Sequence, residues 1–296
     1  MPNVSRFLAA ALFTFLGNPL LAAPGDLVRT VRYKISAGDL FTGEAAVSEY
    51  KRAHGVDPEY LGAVGWLARG AALLGKTDKA WAYVAEVRKE IPEERADKAD
   101  LTVALGAAIE TEGRLRAARD GRGSALKFLE TEYTRAKDTE LRCRIRKNVN
   151  LLSLEGQPAP EMNVSIPKGR PAVLFFWAHW CGDCKAQAPI LGRVLEKYRA
   201  KGLAVMAPTR LFGTGAENKP ATPAEEKAWI EKAWKESYGM LDGVPTPIDT
   251  ETMVRWGVSS NPTLALVDRK GLVRLYTPTR LSEEELSRRI EELLAE

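Results

Sequence analysis

Cys181 and Cys184, two residues apart in the stretch WAHWCGDCK, are the strongest chemical signal in this 296-residue chain. A C-x-x-C pair can ligate a metal, anchor a haem, staple a fold as a disulfide, or carry electrons by opening and closing that disulfide. Haem attachment needs a histidine directly after the second cysteine, and Lys185 stands there. A zinc site wants four ligands. Beyond the pair only His179, His54 and the distant Cys143 remain, and His179 is too close along the chain to complete a comfortable tetrahedron. A purely structural disulfide gains little, because closing so short a loop removes little entropy from the unfolded chain. Redox work fits the position far better. Cys181 belongs at the amino end of a helix, where unpaired amides and the helix dipole stabilise the attacking thiolate. Cys184, one turn inside, is expected to be the more buried sulfur and to resolve the mixed disulfide. This chemistry implies no metal and no bound organic cofactor.

Three charged or titratable neighbours are placed to tune the pair: His179, Asp183 and Lys185. A carboxylate at Asp183 opposes the helix dipole and disfavours a Cys181 thiolate, which pushes the pair toward reducing behaviour. A protonated His179 offsets that effect, although a histidine here reads first as a solvated loop residue.

The elements that position these residues fall into two rhythms. Over residues 25–154 the pattern is helical almost throughout. In residues 64–92 apolar and small residues recur at three- and four-residue steps, Gly75 breaks the run and Pro92 closes it, which predicts a helical hairpin. Leu67, Ala68, Gly75, Ala80 and Pro92 fit a tetratricopeptide-type unit weakly, and an irregular bundle of five to seven helices accounts for the pattern better. The stretch LEGQPAPEMNVSIPKGRP then marks a boundary or an extended entry into a second domain. PAVLFFWA follows, apolar on both faces and of strand length, as in the middle of a covered sheet. Beyond it the sequence predicts a helix over 182–201 with Pro189 inside, a strand at LAVMAP, a helix over ATPAEEKAWIEKAWKESYG and a short strand at PID. Two strands, PTLALVD and LVRLYTP, join as a hairpin through Arg269-Lys270-Gly271, and a last helix opens at Ser282 and Glu285.

The motif W-A-x-W-C-x-x-C-K, a proline five residues after the second cysteine, and Asn261-Pro262-Thr263 before a strand resemble the thioredoxin superfamily. The pattern is most similar to its exported TlpA/ResA-like thiol–disulfide oxidoreductases, and the resemblance covers about residues 155–296. It implies an α/β thioredoxin-like fold, a mixed sheet flanked by helices, while the helical periodicity ahead of it predicts a preceding all-α helical-hairpin domain. It implies a cis peptide before Pro262, an Asn261 backbone that pairs with a substrate strand, and Trp180 as an apolar lid over the disulfide. Trp177 reads as core packing. The surplus RLFGTGAENKP and the helix after it match an insertion that TlpA-like proteins carry. Arg210, at its start, reads as an exposed loop charge. Two departures stand out: Phe175 occupies the strand position of the family's buried acid, and Gln187 the position of a glutamate found in several ResA-like proteins. Both usual proton acceptors are therefore missing.

Arg6 precedes a greasy run ending in small residues, which predicts an export signal over residues 1–23 with cleavage near Ala23; an uncleaved membrane anchor is the alternative. The expected organisation is a signal over 1–23, helices over 24–153 and a thioredoxin-like domain over 154–296. Export and only three cysteines suggest one working pair, with Cys143 a buried or idle thiol in preference to a third redox partner. A net charge of +4, scattered through helical patterns, gives no reason to expect a nucleic-acid partner. The expected partners are protein thiols and disulfides, an upstream thiol donor, and a protein docking on the helical half.

Overall fold

The structure, a computed structural model, describes residues 26–296; the export segment expected over residues 1–23 lies outside the described residues. Among the described residues, no helix is long and apolar enough to cross a membrane.

The first half consists of α1 (Asp26–Ser36), α2 (Leu40–His54), α3 (Pro58–Leu73), α4 (Thr77–Glu90), α5 (Thr102–Asp120), α6 (Arg122–Arg135) and α7 (Thr139–Ser153). Short aspartate caps start several of them, since a carboxylate satisfies amides that the first turn leaves unpaired. Asp57 accepts from the Tyr60 amide at 2.7 Å, and Asp138 from the Leu141 amide at 2.8 Å. The apolar α3 packs against α1, α2, α4 and α5 and forms the centre of this core. Gly65 permits its close approach to α5: a Cβ there would lie 3.0 Å from both the Ala104 carbonyl oxygen and the Ala107 Cβ.

The second half is built on a four-stranded sheet. Its elements are β1 (Ala172–Phe176), α8 (Gly182–Tyr198), β2 (Ala204–Met206), α9 (Pro223–Ser237), α10 (Thr250–Arg255), β3 (Thr263–Val267), β4 (Val273–Thr277) and α11 (Glu283–Ala295). The strand order is β2-β1-β3-β4, with β1 and β2 parallel and β3 and β4 antiparallel to their inner neighbours. This is the thioredoxin-like arrangement expected from the sequence. Every residue of β1 is buried, as a strand covered on both faces must be. Val173 and Phe175 face a core with Leu191 of α8 and Ile290 of α11. Ala172, Leu174 and Phe176 face the other, with Met253 and Trp256 from α10 and its end.

Leu154, just past α7, completes that second core, so the helical half closes one face of the sheet. The Asn150 side chain donates to the Arg255 carbonyl at 3.5 Å, and the Cys143 sulfur lies 3.9 Å from the Met253 carbonyl. The proline-rich stretch runs as an extended entry along β4. The Gly156 amide donates to Val273 at 2.7 Å, and the Val273 amide to Gln157 at 2.9 Å. That pairing covers an edge that would otherwise be open.

One expected element is corrected. The strand at residues 247–249 is reduced to a single bridge between Ile248 and Thr209. Asp249 turns at once into the cap of α10, accepting from the Glu251 amide at 3.0 Å and the Thr252 amide at 3.3 Å.

Gly257 marks the tightest approach between the halves. Its φ is +63°, and a Cβ would lie 2.3 Å from the Lys147 amide nitrogen of α7. Both the left-handed backbone and the space require glycine. Gly257→Ala is expected to lower the unfolding free energy in urea titration by about 2 kcal/mol or more. A loss below about 0.5 kcal/mol, typical of an unremarkable surface change, would refute that constraint.

Candidate active site

The buried strand β1 runs straight into the turn that carries the cysteines. Three contacts hold the strand's extension to the chain beyond β2. The Trp177 indole donates to the Ala207 carbonyl at 3.0 Å, the Trp177 amide to Pro208 at 3.3 Å, and the Thr209 hydroxyl to the Trp177 carbonyl at 2.7 Å. Trp177 is fully buried core, packed against Trp234 and Tyr238. Cys181 then stands at the cap of α8, where its sulfur accepts the Cys184 amide at 3.0 Å. The two cysteines form a disulfide. Cys181 is 4% exposed and Cys184 is wholly buried. Trp180, 46% exposed, presents an indole to solvent directly before them.

The antiparallel register places Thr263 opposite Phe176. Asn261 and Pro262 therefore lie at the same end of the sheet as the turn into Cys181, joined by a cis peptide bond. The Asn261 side-chain oxygen is buried with no hydrogen-bond partner among the described residues.

The charged neighbours sort differently from the sequence reading. Lys185 is exposed on the first turn of α8. Asp183 is also exposed but not alone: Arg280, in the segment between β4 and α11, lies 3.4 Å from its carboxylate. Its negative charge at the head of α8 is thus partly offset. His179 is corrected outright, being 2% exposed rather than solvated. The chain after β2 folds over it, bringing Phe212 edge-on at 6.2 Å between ring centroids and the Glu226 carboxylate to 3.8 Å from Nδ1. Burial pushes the imidazole below its ordinary value, and the Glu226 carboxylate only partly opposes this.

Glu226 and Arg280 are the site residues that motif reading missed. Glu226 follows Glu225, whose capping box with Thr222 makes the pair look like ordinary first-turn acids of α9. In fact Glu226 is buried and accepts the Phe212 amide at 2.6 Å and the Gly213 amide at 2.8 Å, fixing the inserted loop. Arg210 is corrected too: it is 6% exposed and ion-paired to Glu140 of α7.

Phe175 is fully buried core. Gln187 is buried as well, its oxygen accepting the Leu281 amide at 2.9 Å, so neither position offers a proton acceptor. Cys143 is buried against α10, and its burial raises the thiol to about 12. Among the described residues, no three His, Cys, Asp or Glu side chains gather in a way that could hold a metal ion.

The arrangement suits disulfide exchange: a sulfur at a helix cap, a buried partner behind it, and an exposed aromatic ledge beside it. Comparison with known protein sequences agrees. Residues 159–294 match the sequence model of a thioredoxin-like domain. The chain is 25% identical over 145 residues to the thiol-disulfide oxidoreductase ResA of Geobacillus thermodenitrificans, covering 48% of this chain and 72% of that protein. It is 25% identical over 158 residues to the thiol:disulfide interchange protein DsbE of Xylella fastidiosa, covering 49% and 71%. Among solved structures, MTB dsbF in its mixed oxidized and reduced forms is 25% identical, with a TM-score of 0.35, covering 43% of this chain and 82% of that one. The helices before the thioredoxin-like domain are not matched.

The buried His179 carries a pH signature. Because its proton affinity is lowered in the native state, the unfolded chain takes up the proton first, and native stability falls as pH drops below the ordinary imidazole value of 6.5. His179→Gln is expected to remove that part of the acid loss. The stability gap between wild type and variant, measured by urea titration, should narrow from about pH 7.5 to about pH 5. A gap independent of pH would show that His179 does not titrate in that window.

Proposed function

We propose that this protein is an exported thiol–disulfide oxidoreductase that reduces disulfides in protein substrates. The observation that carries the reading is the Cys181–Cys184 disulfide at the cap of α8, with the Cys184 amide aimed at the Cys181 sulfur. Thiol–disulfide exchange in the matched relatives, ResA and DsbE, supports the reaction class. Export rests on the charged and then apolar start of the sequence.

In the reducing direction the Cys181 thiolate attacks one sulfur of the substrate disulfide. The substrate's S–S bond breaks, its other sulfur leaves as a thiolate, and a mixed disulfide forms. Cys184 then gives up its proton and attacks the Cys181 sulfur, restoring the internal disulfide and releasing the second substrate sulfur. Two electrons pass from the pair to the substrate, and an upstream thiol donor resets the pair. Trp180 and the Asn261-Pro262 backbone receive the substrate strand.

A second reading, an oxidase or isomerase, is favoured by one observation. Arg280 offsets the Asp183 carboxylate, and that carboxylate is the feature that biases the pair toward reduction. A third, with the thioredoxin-like half as a redox-silent docking domain for a partner-binding helical half, draws on the missing acids at Phe175 and Gln187.

Insulin reduction by wild type and Cys181→Ser separates enzyme from docking domain: the variant is expected to lose activity, and equal rates would remove the enzyme reading. The potential of the pair gives the direction. A value near about −270 mV supports a reductase, and one near about −120 mV an oxidant.

The Asp183–Arg280 pair supplies a further test. Arg280→Gln leaves the carboxylate unopposed, which raises the Cys181 thiol pKa and makes the potential more negative. Asp183→Asn moves both the other way. Both side chains are more than half exposed, so each shift should stay below about 30 mV. Shifts of the same sign in the two variants would show that their charge does not tune the pair.

A further inference from the structure

The helical half meets the loop beside the redox site at a buried arginine, whose partner Glu140 is itself 47% exposed. Arg210 follows the last residues of the β2 extension, and its side chain is only 7% exposed. Its guanidinium donates to the Glu140 carboxylate in the first turn of α7. The same guanidinium lies over the Phe212 ring, 4.5 Å from the centroid. Phe212 in turn meets Trp180 edge-on, at 5.4 Å between centroids and 77° between planes. Trp180 is the exposed aromatic beside Cys181, and Phe212 is the aromatic ring it packs against.

We infer that Glu140 is a positioning residue for disulfide exchange: by pairing with Arg210 it holds Phe212 under Trp180, so that the helical half sets the ledge on which a protein substrate lands. The inference rests on the reading of the Cys181–Cys184 pair as an exchange site for protein disulfides.

A carboxylate in a helix's first turn is favoured by the dipole in any case, and that alone needs no arginine. Here an arginine from the other half is withdrawn from water to meet it, and its Nε has no hydrogen-bond partner among the described residues. Burying a guanidinium with an unused donor is a poor way to gain stability. It is an effective way to fix a flat cation over one aromatic face. Glu226 also holds the Phe212 backbone, accepting its amide at 2.6 Å. The loop is thus pinned twice, once by a carboxylate of its own domain and once by a carboxylate of the helical half. Without the Glu140 charge, Arg210 has every reason to turn toward solvent, and Phe212 loses the cation that orders it.

The test is steady-state reduction of insulin, with dithiothreitol as electron donor, by the full chain and by Glu140→Gln. In the variant the KM for insulin is expected to rise by about twofold to thirtyfold, the range of couplings carried through packed side chains. The kcat, the potential of the pair and the rate with the small disulfide 5,5′-dithiobis(2-nitrobenzoate) should all stay at wild-type values. Arg210→Lys, which keeps the charge but loses the flat stacking face, should raise KM in the same way. Urea titration establishes that each variant is folded under assay conditions. In a double-mutant cycle, Glu140→Gln and Phe212→Leu should raise KM together by less than the product of their separate effects.

An active wild type whose KM is unchanged in Glu140→Gln overturns the inference and leaves the exchange reading standing. So does a fall in kcat for insulin and for the small disulfide alike, or a shift in the potential, since either marks a general structural defect. Multiplicative effects in the cycle also overturn it. A wild type that reduces neither insulin nor the small disulfide removes the exchange reading, and this inference falls with it.

Discussion

The Cys184 amide pointing at the Cys181 sulfur is the contact around which the site is arranged. A helix begins with amides that have no partner inside it. Here a sulfur takes the role usually filled by a serine or aspartate oxygen. The sulfur that starts the helix therefore also sits in the helix's positive field, and a thiolate there is stabilised by the same geometry that begins the fold of α8. That requires β1 to deliver the chain to the turn without freedom, which its complete burial and the three contacts of Trp177 and Thr209 ensure. Asp183 and Arg280 add one charge of each sign outside that turn.

A sheet with a fully apolar central strand must be covered on both faces. In this protein α8 and α11 cover one face, while α10 and the end of α7 cover the other. The helical half is thus part of the sheet's enclosure rather than a body carried on a linker. The absence of a side chain at Gly257 and the pairing of the proline-rich entry with β4 give that enclosure its fit. A structural contact of this kind places α7 within reach of the loop beyond β2. The Glu140–Arg210 pair follows from that placement, not from any feature local to either segment.

What was legible in the sequence was local. The C-x-x-C at a strand-to-helix turn, the doubly apolar β1, the hairpin through Gly271 and the proline before β3 each announce themselves within about ten residues. The residues that went unread are those whose surroundings come from far along the chain. His179 looks solvated until residues 212–226 fold over it, and Arg210 looks like a loop charge until a helix seventy residues earlier supplies its partner. Glu226 is hidden by an adjacent glutamate that really is a helix cap. The short strand at residues 247–249 failed for the opposite reason. A local signal, the capping of α10 by Asp249, overrode the pairing that its apolar residues suggested.

The same long-range contacts bear on the resolving step. Cys184 must lose its proton before it attacks, and burial among apolar groups disfavours the thiolate. Phe175 is inert, and the Gln187 oxygen is taken by the Leu281 amide. The buried carboxylate of the inserted region, Glu226, is spent on two backbone amides and lies against His179. Among the described residues, Phe175, Gln187 and Glu226 are thus closed to that proton, and on the proposed exchange it passes to the substrate's leaving thiolate or to water. On the proposed reading, that slows resolution relative to attack and prolongs the mixed disulfide. A long-lived mixed disulfide gives weight to whatever holds the substrate strand in place. On the proposed reading that is Trp180, against which packs the Phe212 ring of the loop that Glu226 and Arg210 hold.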